Sequence, residues 1–331
     1  MLDMYKNMKL SSFRHNNIYY TNTITILSIG FLLLFAAISN IVPEINQVQA
    51  QDKGYELKAI KEGVYVVSVG GSNSMFLTTG NGVLVVDSPP NIGDKIFDAV
   101  AEVTNEPITH LVYSHAHKDH IGSANVFPSN VTIISQDETA NLLKERNDTN
   151  RPVPDETFLE SKNITIGDKT VELFYPGPYH ESGNIFIYIP EQKVLMVVDQ
   201  FTPGGIPWKH LAVTEYVPAF IKSVDQVLAY DFDVYIPGHG NTGTKEDVQT
   251  LKEYVNDLKT NAMDAFKAVN FIEATANVDK GNNAAMTEAY FNALTNYCTE
   301  KIDSKWNGKL NGIGVWSDEH CERMVISTSV D

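Results

Sequence analysis

Tyr113-Ser114-His115-Ala116-His117-Lys118-Asp119-His120-Ile121 packs three histidines and a carboxylate into six consecutive residues, 115–120. Folding alone seldom asks for such density, because every buried polar group must find a partner. Upstream, residues 108–113 are largely apolar and read as a strand running into the motif; residues 121–126 read as a helix leaving it. Side chains alternate along an extended loop, so His115 and His117 point the same way, and Asp119 and His120 follow as the chain turns. Imidazole and carboxylate are the ligand types that suit zinc, whose catalytic sites use three protein ligands and an open position. One loop can therefore serve two neighbouring metal sites, provided that more ligands come from elsewhere.

They come at other strand ends. His180 follows Tyr175-Pro176-Gly177-Pro178-Tyr179, Asp199 closes the apolar run 194–198, and His239 stands in Pro237-Gly238-His239-Gly240 after residues 234–236. Layered α/β folds build their sites at the carboxyl ends of strands. The candidate metal ligands are thus His115, His117, Asp119, His120, His180, Asp199 and His239, which include five of the nine histidines of the chain. Around them the pattern predicts strands at 64–69, 75–78, 83–86, 131–134, 171–175, 185–189, 194–198 and 234–236, with Gly80-Asn81-Gly82 as a hairpin turn. Helical spacing is expected at 93–103, 137–146 and 217–229, so strands and helices interleave as in an α/β fold with helices covering sheet faces. Beyond Gly243 the character changes to long helical periodicity over 245–269 and 273–301. The stripe Met286, Tyr290, Phe291 and Leu294 is assigned to packing.

Composition sets the outer bounds. The 331 residues are 43% hydrophobic and 20% charged, a globular balance, with 25 basic against 41 acidic side chains and a net charge of −16. An acidic surface repels phosphate backbones, so no nucleic-acid partner is expected and the expected partner is a small-molecule substrate. Lys6, Lys9 and Arg14 precede an uncharged apolar run at 24–42, and Val48-Gln49-Ala50 resembles a signal-peptide cleavage site. Residues 1–50 are therefore expected to be a signal peptide or N-terminal membrane anchor. Either way the rest is exported, and contact with the membrane is confined to this segment. Residues 51–260 are expected to form the catalytic domain and 261–331 a mostly helical C-terminal extension. Cys298 and Cys321 can pair in an oxidising compartment or remain two separate thiols. Asn130, Asn147 and Asn163 head glycosylation triplets, a weak signal.

The order His115-x-His117-x-Asp119-His120, then His180, Asp199 and Gly238-His239-Gly240, resembles the metallo-β-lactamase superfamily over residues 55 to 254. Asp87, at the end of Gly82-Val83-Leu84-Val85-Val86-Asp87, is similar to that superfamily's first motif, where the carboxylate orders the metal loop without binding metal. The resemblance implies a four-layer αββα sandwich with two Zn²⁺ at one edge of the paired sheets, iron or manganese being the alternatives. It assigns His115, His117 and His180 to one metal and Asp119, His120 and His239 to the other, with Asp199 bridging. It also implies that a metal-bound hydroxide attacks a carbonyl, while Asp119 orients the nucleophile and passes its proton on.

Dedicated β-lactamases of this superfamily carry Cys or Ser where Asp199 stands, so the chain more closely resembles lactonases and related exported hydrolases. Glyoxalase II, another relative, acts on an anionic cytosolic thioester, which export and acidity disfavour. The expectation is an exported dinuclear zinc hydrolase of a small ester, lactone or lactam. An iron-dependent oxidoreductase similar to persulfide dioxygenases, a phosphodiesterase and a noncatalytic binding protein are the competing readings. Residues 70–74 and 201–208 are expected to touch substrate, Trp208 to wall a pocket or pack on the C-terminal helices, and Tyr179 and Tyr216 to be candidate oxyanion donors or, the commoner role of a buried tyrosine, packing residues. His110, His210 and His320 are expected to have no metal role, His210 alone lying where it could reach substrate. Lys118 is expected to point to solvent, and Asn184 to pin its loop.

Overall fold

Strands β2 (Val64–Val69), β3 (Ser72–Thr78) and β4 (Val83–Val86) are almost continuously apolar because both of their faces are covered. Val64, Val66, Met75, Leu77, Leu84 and Val86 face a second sheet, whereas Val67, Phe76, Val83 and Val85 face helices on the opposite side. The structure is a computed structural model and describes residues 53–331. The expected export segment lies outside the described residues, and among those residues no helix is long and apolar enough to cross a membrane.

The first sheet has seven strands in sequential order: β1 (Glu56–Lys61), β2, β3, β4, β5 (Ile108–Val112), β6 (Thr132–Gln136) and β7 (Glu156–Phe158). Pairing is antiparallel from β1 to β4 and parallel from β4 to β7. The second sheet runs β12 (Val234–Ile236), β11 (Val194–Val197), β10 (Phe186–Ile189), β9 (Lys169–Phe174), β8 (Ser161–Ile166). Here β11 and β9 are each antiparallel to β10 and β12 is parallel to β11, so β9, β11 and β12 all end on the same edge.

Helices α1 (Lys95–Ala101), α2 (Lys118–Ile121) and α3 (Asp137–Arg146) cover the first sheet through Ile96, Val100, Ile121 and Leu143. On the second sheet, Phe186, Leu195, Val197 and Tyr235 pack against α5 (Val217–Leu228), α6 (Lys245–Ala268), α8 (Asn283–Trp306) and α9 (Ser317–Val330), α7 (Phe271–Ala274) being a single turn between α6 and α8. The result is the αββα sandwich. α6 runs through the expected boundary between residues 260 and 261 and starts in a capping box between Thr244 and Asp247. Leu294 is buried on α8 with Tyr290 and Phe291 packed beside it, so these three members of the stripe serve packing. Cys298 and Cys321 are paired in a disulfide that ties α8 to α9.

Some local expectations shift. β3 begins at Ser72, three residues early, so Asn73 and Ser74 are buried in the sheet and not in a substrate loop. α2 begins at Lys118, which makes Asp119 and His120 helical; residues 124–126 form a separate 3₁₀ turn. β1, β7 and β8 were not expected; in the edge strand β1 only Leu57 and Ile60 are half-buried, each packed against a different core cluster, and the exposed Glu56, Lys58 and Lys61 leave no regular apolar alternation to signal it.

Candidate metal centre

The seven expected ligands converge. One atom from each of His115, His117, His180 and Asp199 lies within 4.8 Å of the others, and the same holds for Asp119, His120, Asp199 and His239. Asp199 belongs to both groups: its Oδ2 is 2.9 Å from His120 Nε2, 3.4 Å from His180 Nε2 and 3.8 Å from His115 Nε2, and its Oδ1 is 3.7 Å from His239 Nε2. On the solvent side, Asp119 Oδ2 is 3.4 Å from His239 Nε2 and 3.6 Å from His120 Nε2.

Strand ends put these groups in place. His115 follows β5, His180 lies between β9 and β10, Asp199 stands two residues after β11, and His239 follows β12. Asp199 has φ 57° and Asp87, after β4, has φ 63°, a left-handed backbone that costs a non-glycine residue energy and here turns both carboxylates towards the centre. At Gly238 the reason for glycine is space: a Cβ would sit 2.6 Å from His120 Cε1 and 3.0 Å from Asp199 Oδ1.

Outer partners orient the imidazoles. His115 Nδ1 is 2.9 Å from Ser114 Oγ, which leaves its buried Nε2 without a hydrogen-bond partner and aimed into the cluster. His180 Nδ1 bonds the carbonyl of Ala212. Asp87, fully buried, accepts the Ser114 N–H at 2.8 Å and lies 3.8 Å from His120 Nδ1, so it orders the loop as expected. Asn73 donates to the carbonyls of Pro237 and Gly240 at 3.0 and 2.8 Å, bracing the His239 loop. Such partners fix the tautomer and direction of ligating histidines.

Charge follows from this geometry. Burial drives the pKa of His115 well below its usual value, with His120 and His180 adding to the effect, and burial likewise lowers His117. Burial works against ionising Asp199, but His120, His180 and His115 overcome it and hold the carboxyl well below the ordinary range. Burial also opposes a proton on His120, yet Asp199, Asp87 and Asp119 outweigh it and raise that pKa to about 9. Burial pushes Asp87 up to about 6. Neutral imidazoles beside ionised carboxylates are the ligating forms, and the elevated His120 marks a negative potential that a cation would neutralise. The orphaned Nε2 of His115 and this donor set fit a metal pair.

A cavity of about 740 Å³ opens in front of the ligands, lined by His117, Asp119, His180, Asp199 and His239 on one side and by Phe201, Ile206, Trp208 and Val213 on another. Residues 201–208 are thus at the site as expected, whereas residues 70–74 are not among those lining it. Tyr179 is fully buried, its hydroxyl 2.8 Å from Asn184 Oδ1, and is a packing residue; Tyr216 precedes α5 outside the cavity lining. Neither is positioned as an oxyanion donor. Asn184 pins its loop through the Val198 carbonyl at 3.2 Å. Lys118 points to solvent, 3.8 Å from Asp148. His110 lies on β5, His210 faces Glu319 at 3.8 Å outside the cavity lining, and His320 is buried against Tyr254.

Three features escaped the sequence reading. Glu181 accepts the Ala116 N–H at 2.9 Å and Arg146 Nη2 at 2.9 Å, and its Oε1 is 3.4 Å from His117 Nε2. Only its position next to His180 could have signalled it. α4 (Lys209–Val213) is a left-handed turn: His210, Leu211, Ala212 and Val213 have φ between 49 and 59°, which delivers Ala212 and Val213 to the cavity. Asn311, Gly312 and Trp316, from the α8–α9 connection, also line the cavity; the glycines at 308, 312 and 314 around them were the available signal.

A family model described as the metallo-beta-lactamase superfamily matches residues 67–239, a span that contains all seven ligands. The chain is 24% identical over 266 residues to 2,4-dinitroanisole O-demethylase subunit alpha of Nocardioides sp. (strain JS1661), covering 77% of this chain and 80% of that one. It is 26% identical over 254 residues to metallo-beta-lactamase type 2 of Bacillus cereus, covering 67% and 94% respectively. Among solved structures, a metallo-beta-lactamase from Pontibacter korlensis has the same fold, with a TM-score of 0.54, 20% identity, and coverage of 61% of this chain and 99% of that chain.

Proposed function

The chain belongs to the metallo-beta-lactamase superfamily, and from that membership we propose that it is an exported dinuclear zinc hydrolase acting on the carbonyl of a small ester, lactone or lactam. Its relatives support a metal-dependent hydrolase in general. The observation that carries the finer reading is Asp199, one carboxylate shared between two complete ligand groups.

In this proposal His115, His117 and His180 hold one zinc, Asp119, His120 and His239 hold the other, and Asp199 serves both. Bound there, zinc supplies a Lewis acid for the carbonyl and makes a water acidic enough to ionise near neutral pH. The chain's own residues do the rest. Asp119 is more than half exposed at the cavity while its neighbours His120 and His239 fix its carboxylate, so it can accept a proton and deliver it to the leaving group. Phe201 and Ile206, both buried, and the more exposed Val213 make the opposite side apolar. Export forms part of the proposal, supported by the Cys298–Cys321 disulfide, since such bonds persist in oxidising compartments.

Metal analysis of the purified protein, combined with assays on an acyl lactone, an aryl ester, a chromogenic β-lactam and an aryl phosphodiester, tests this reading. The expected result is two zinc ions per chain and chelator-sensitive hydrolysis of a carbonyl substrate. A single iron without hydrolysis overturns it.

A further inference from the structure

One wall of the cavity comes from the far end of the chain. Residues 307–316 connect α8 to α9 and return to the metal centre, where Ile206 N–H donates to the Asn311 carbonyl at 2.9 Å and Asn311 N–H to the Gly204 carbonyl at 3.0 Å. The fit between the two loops is close. At Gly312, whose φ is +89°, a Cβ would meet Ile206 Cγ1 at 2.9 Å and Trp316 Cε3 at 3.0 Å. The disulfide joining α8 to α9 closes the segment that contains this wall.

The chemistry of the wall is one-sided. Trp316 is half-buried and Trp208 is 57% exposed, an unusual degree for tryptophan, and both face the cavity beside Phe201, Ile206 and Val213. No Lys or Arg is among the described residues that line it. Two cations of the adjoining elements are engaged elsewhere, Lys209 with Glu319 at 3.4 Å and Arg323 with the Thr214 carbonyl at 2.6 Å. An anionic group carried against this wall, remote from the ligands, would lose water without gaining a counter-charge. A flat apolar group would bury its faces on indole.

Resting on the hydrolase reading, the geometry points to residues 311–316 as a specificity wall that, with Trp208, selects uncharged substrates bearing a flat apolar ring. Anionic analogues are rejected by the wall and not by the metal ligands.

A matched pair of esters tests this: 2-naphthyl acetate and its 6-sulfonate, each of which adds water to release acetate and a naphthol. The products, 2-naphthol and 6-hydroxynaphthalene-2-sulfonate, serve as non-hydrolysable ligands, with binding read by tryptophan fluorescence. On the zinc-loaded protein the neutral ester is expected to have a kcat/KM roughly tenfold or more above the sulfonate, and the neutral naphthol to bind tighter by a similar factor. Trp316→Ala and Trp208→Ala are each expected to erase most of that preference, the loss falling on KM rather than kcat, with metal content unchanged. Should Trp316→Ala fail to fold, the exposed Trp208 decides. Equal or tighter binding of the sulfonate, or a preference that survives loss of Trp208, overturns the wall. Preferential, tryptophan-dependent binding of 2-naphthol without cleavage of either ester sustains the wall and removes simple aryl esters from the substrates of the proposed hydrolase.

Discussion

Glu181 Oε1 lies 3.4 Å from Nε2 of His117, and the other nitrogen of that ring, Nδ1, faces His180 Nε2 at 3.0 Å. The carboxylate therefore decides which nitrogen His117 presents to the centre. Arg146 at 2.9 Å and the Ala116 N–H at 2.9 Å hold Glu181 in turn. Glu181→Ala should weaken metal binding by roughly 10- to 100-fold, the usual cost of losing such a partner. Zinc titration against a chromogenic chelator measures it, and unchanged affinity would show that His117 is oriented by something else.

Gly238 carries a second prediction. A methyl group there would press on His120 Cε1 and Val198 Cγ1, both at 2.6 Å, and on Asp199 Oδ1 at 3.0 Å. Gly238→Ala should cost about 1–3 kcal/mol as overpacking. It should also lower turnover by roughly 100-fold, because ligands shifted by a fraction of an ångström misplace the reacting groups. Denaturant unfolding and steady-state kinetics on the same preparation separate the two effects.

The extent to which the sequence foretold this site follows from where its information is local. His115, His117, Asp119 and His120 sit in one loop, and His180, Asp199 and His239 each end a short apolar run, so spacing and strand ends disclose them. Glu181 looks like any other charged residue until the loop folds it inward to 3% exposure. Likewise, nothing local says that Asn311 will pair with Gly204 more than a hundred residues earlier. Tyr179 shows the converse: adjacency to a ligand makes a residue a candidate for chemistry, but packing, the commoner role of a buried tyrosine, turns its hydroxyl to Asn184. The left-handed run 210–213 has no glycine to announce it, since packing overrides the local preference there.

That run stores strain which can be relieved. His210 has φ 49° and is partly exposed, and its contact with Glu319 at 3.8 Å is a surface pair worth little. His210→Gly removes the Cβ clash of a left-handed residue, offset in part by the freer unfolded chain. A net gain of about 0.5–1 kcal/mol is expected. Urea unfolding of the two proteins checks it; a loss of stability would mean that the turn is not strained at this position.

The disulfide closes a 23-residue separation that contains the α8–α9 connection. Constraint of the unfolded chain by a loop of that size is worth roughly 3 kcal/mol. Both cysteines are fully buried, so alanine at each preserves the apolar surroundings. The Cys298→Ala/Cys321→Ala protein should lose about that much stability and remain folded, which a comparison of unfolding midpoints in the absence of reductant would show.

His320 should tune stability to pH. Burial, with the charge of His210 adding to it, pushes its pKa down to about 3, while Tyr254 holds Nδ1 at 2.8 Å. The unfolded chain takes up a proton as pH falls through about 6.5, but the folded chain does not until about 3. Across that window the unfolded state binds more protons, so stability contributed by the neutral ring is complete above pH 6.5 and drains as pH falls. Between pH 7 and pH 5 the loss from this one group amounts to roughly 2 kcal/mol. His320→Gln has no titrating ring and keeps an acceptor for the Tyr254 hydroxyl, so its stability should fall less over the same interval. Urea unfolding of both proteins at the two pH values reads the difference directly. Parallel losses would mean that His320 is protonated in the folded protein, and that the burial described for it does not exclude the charge.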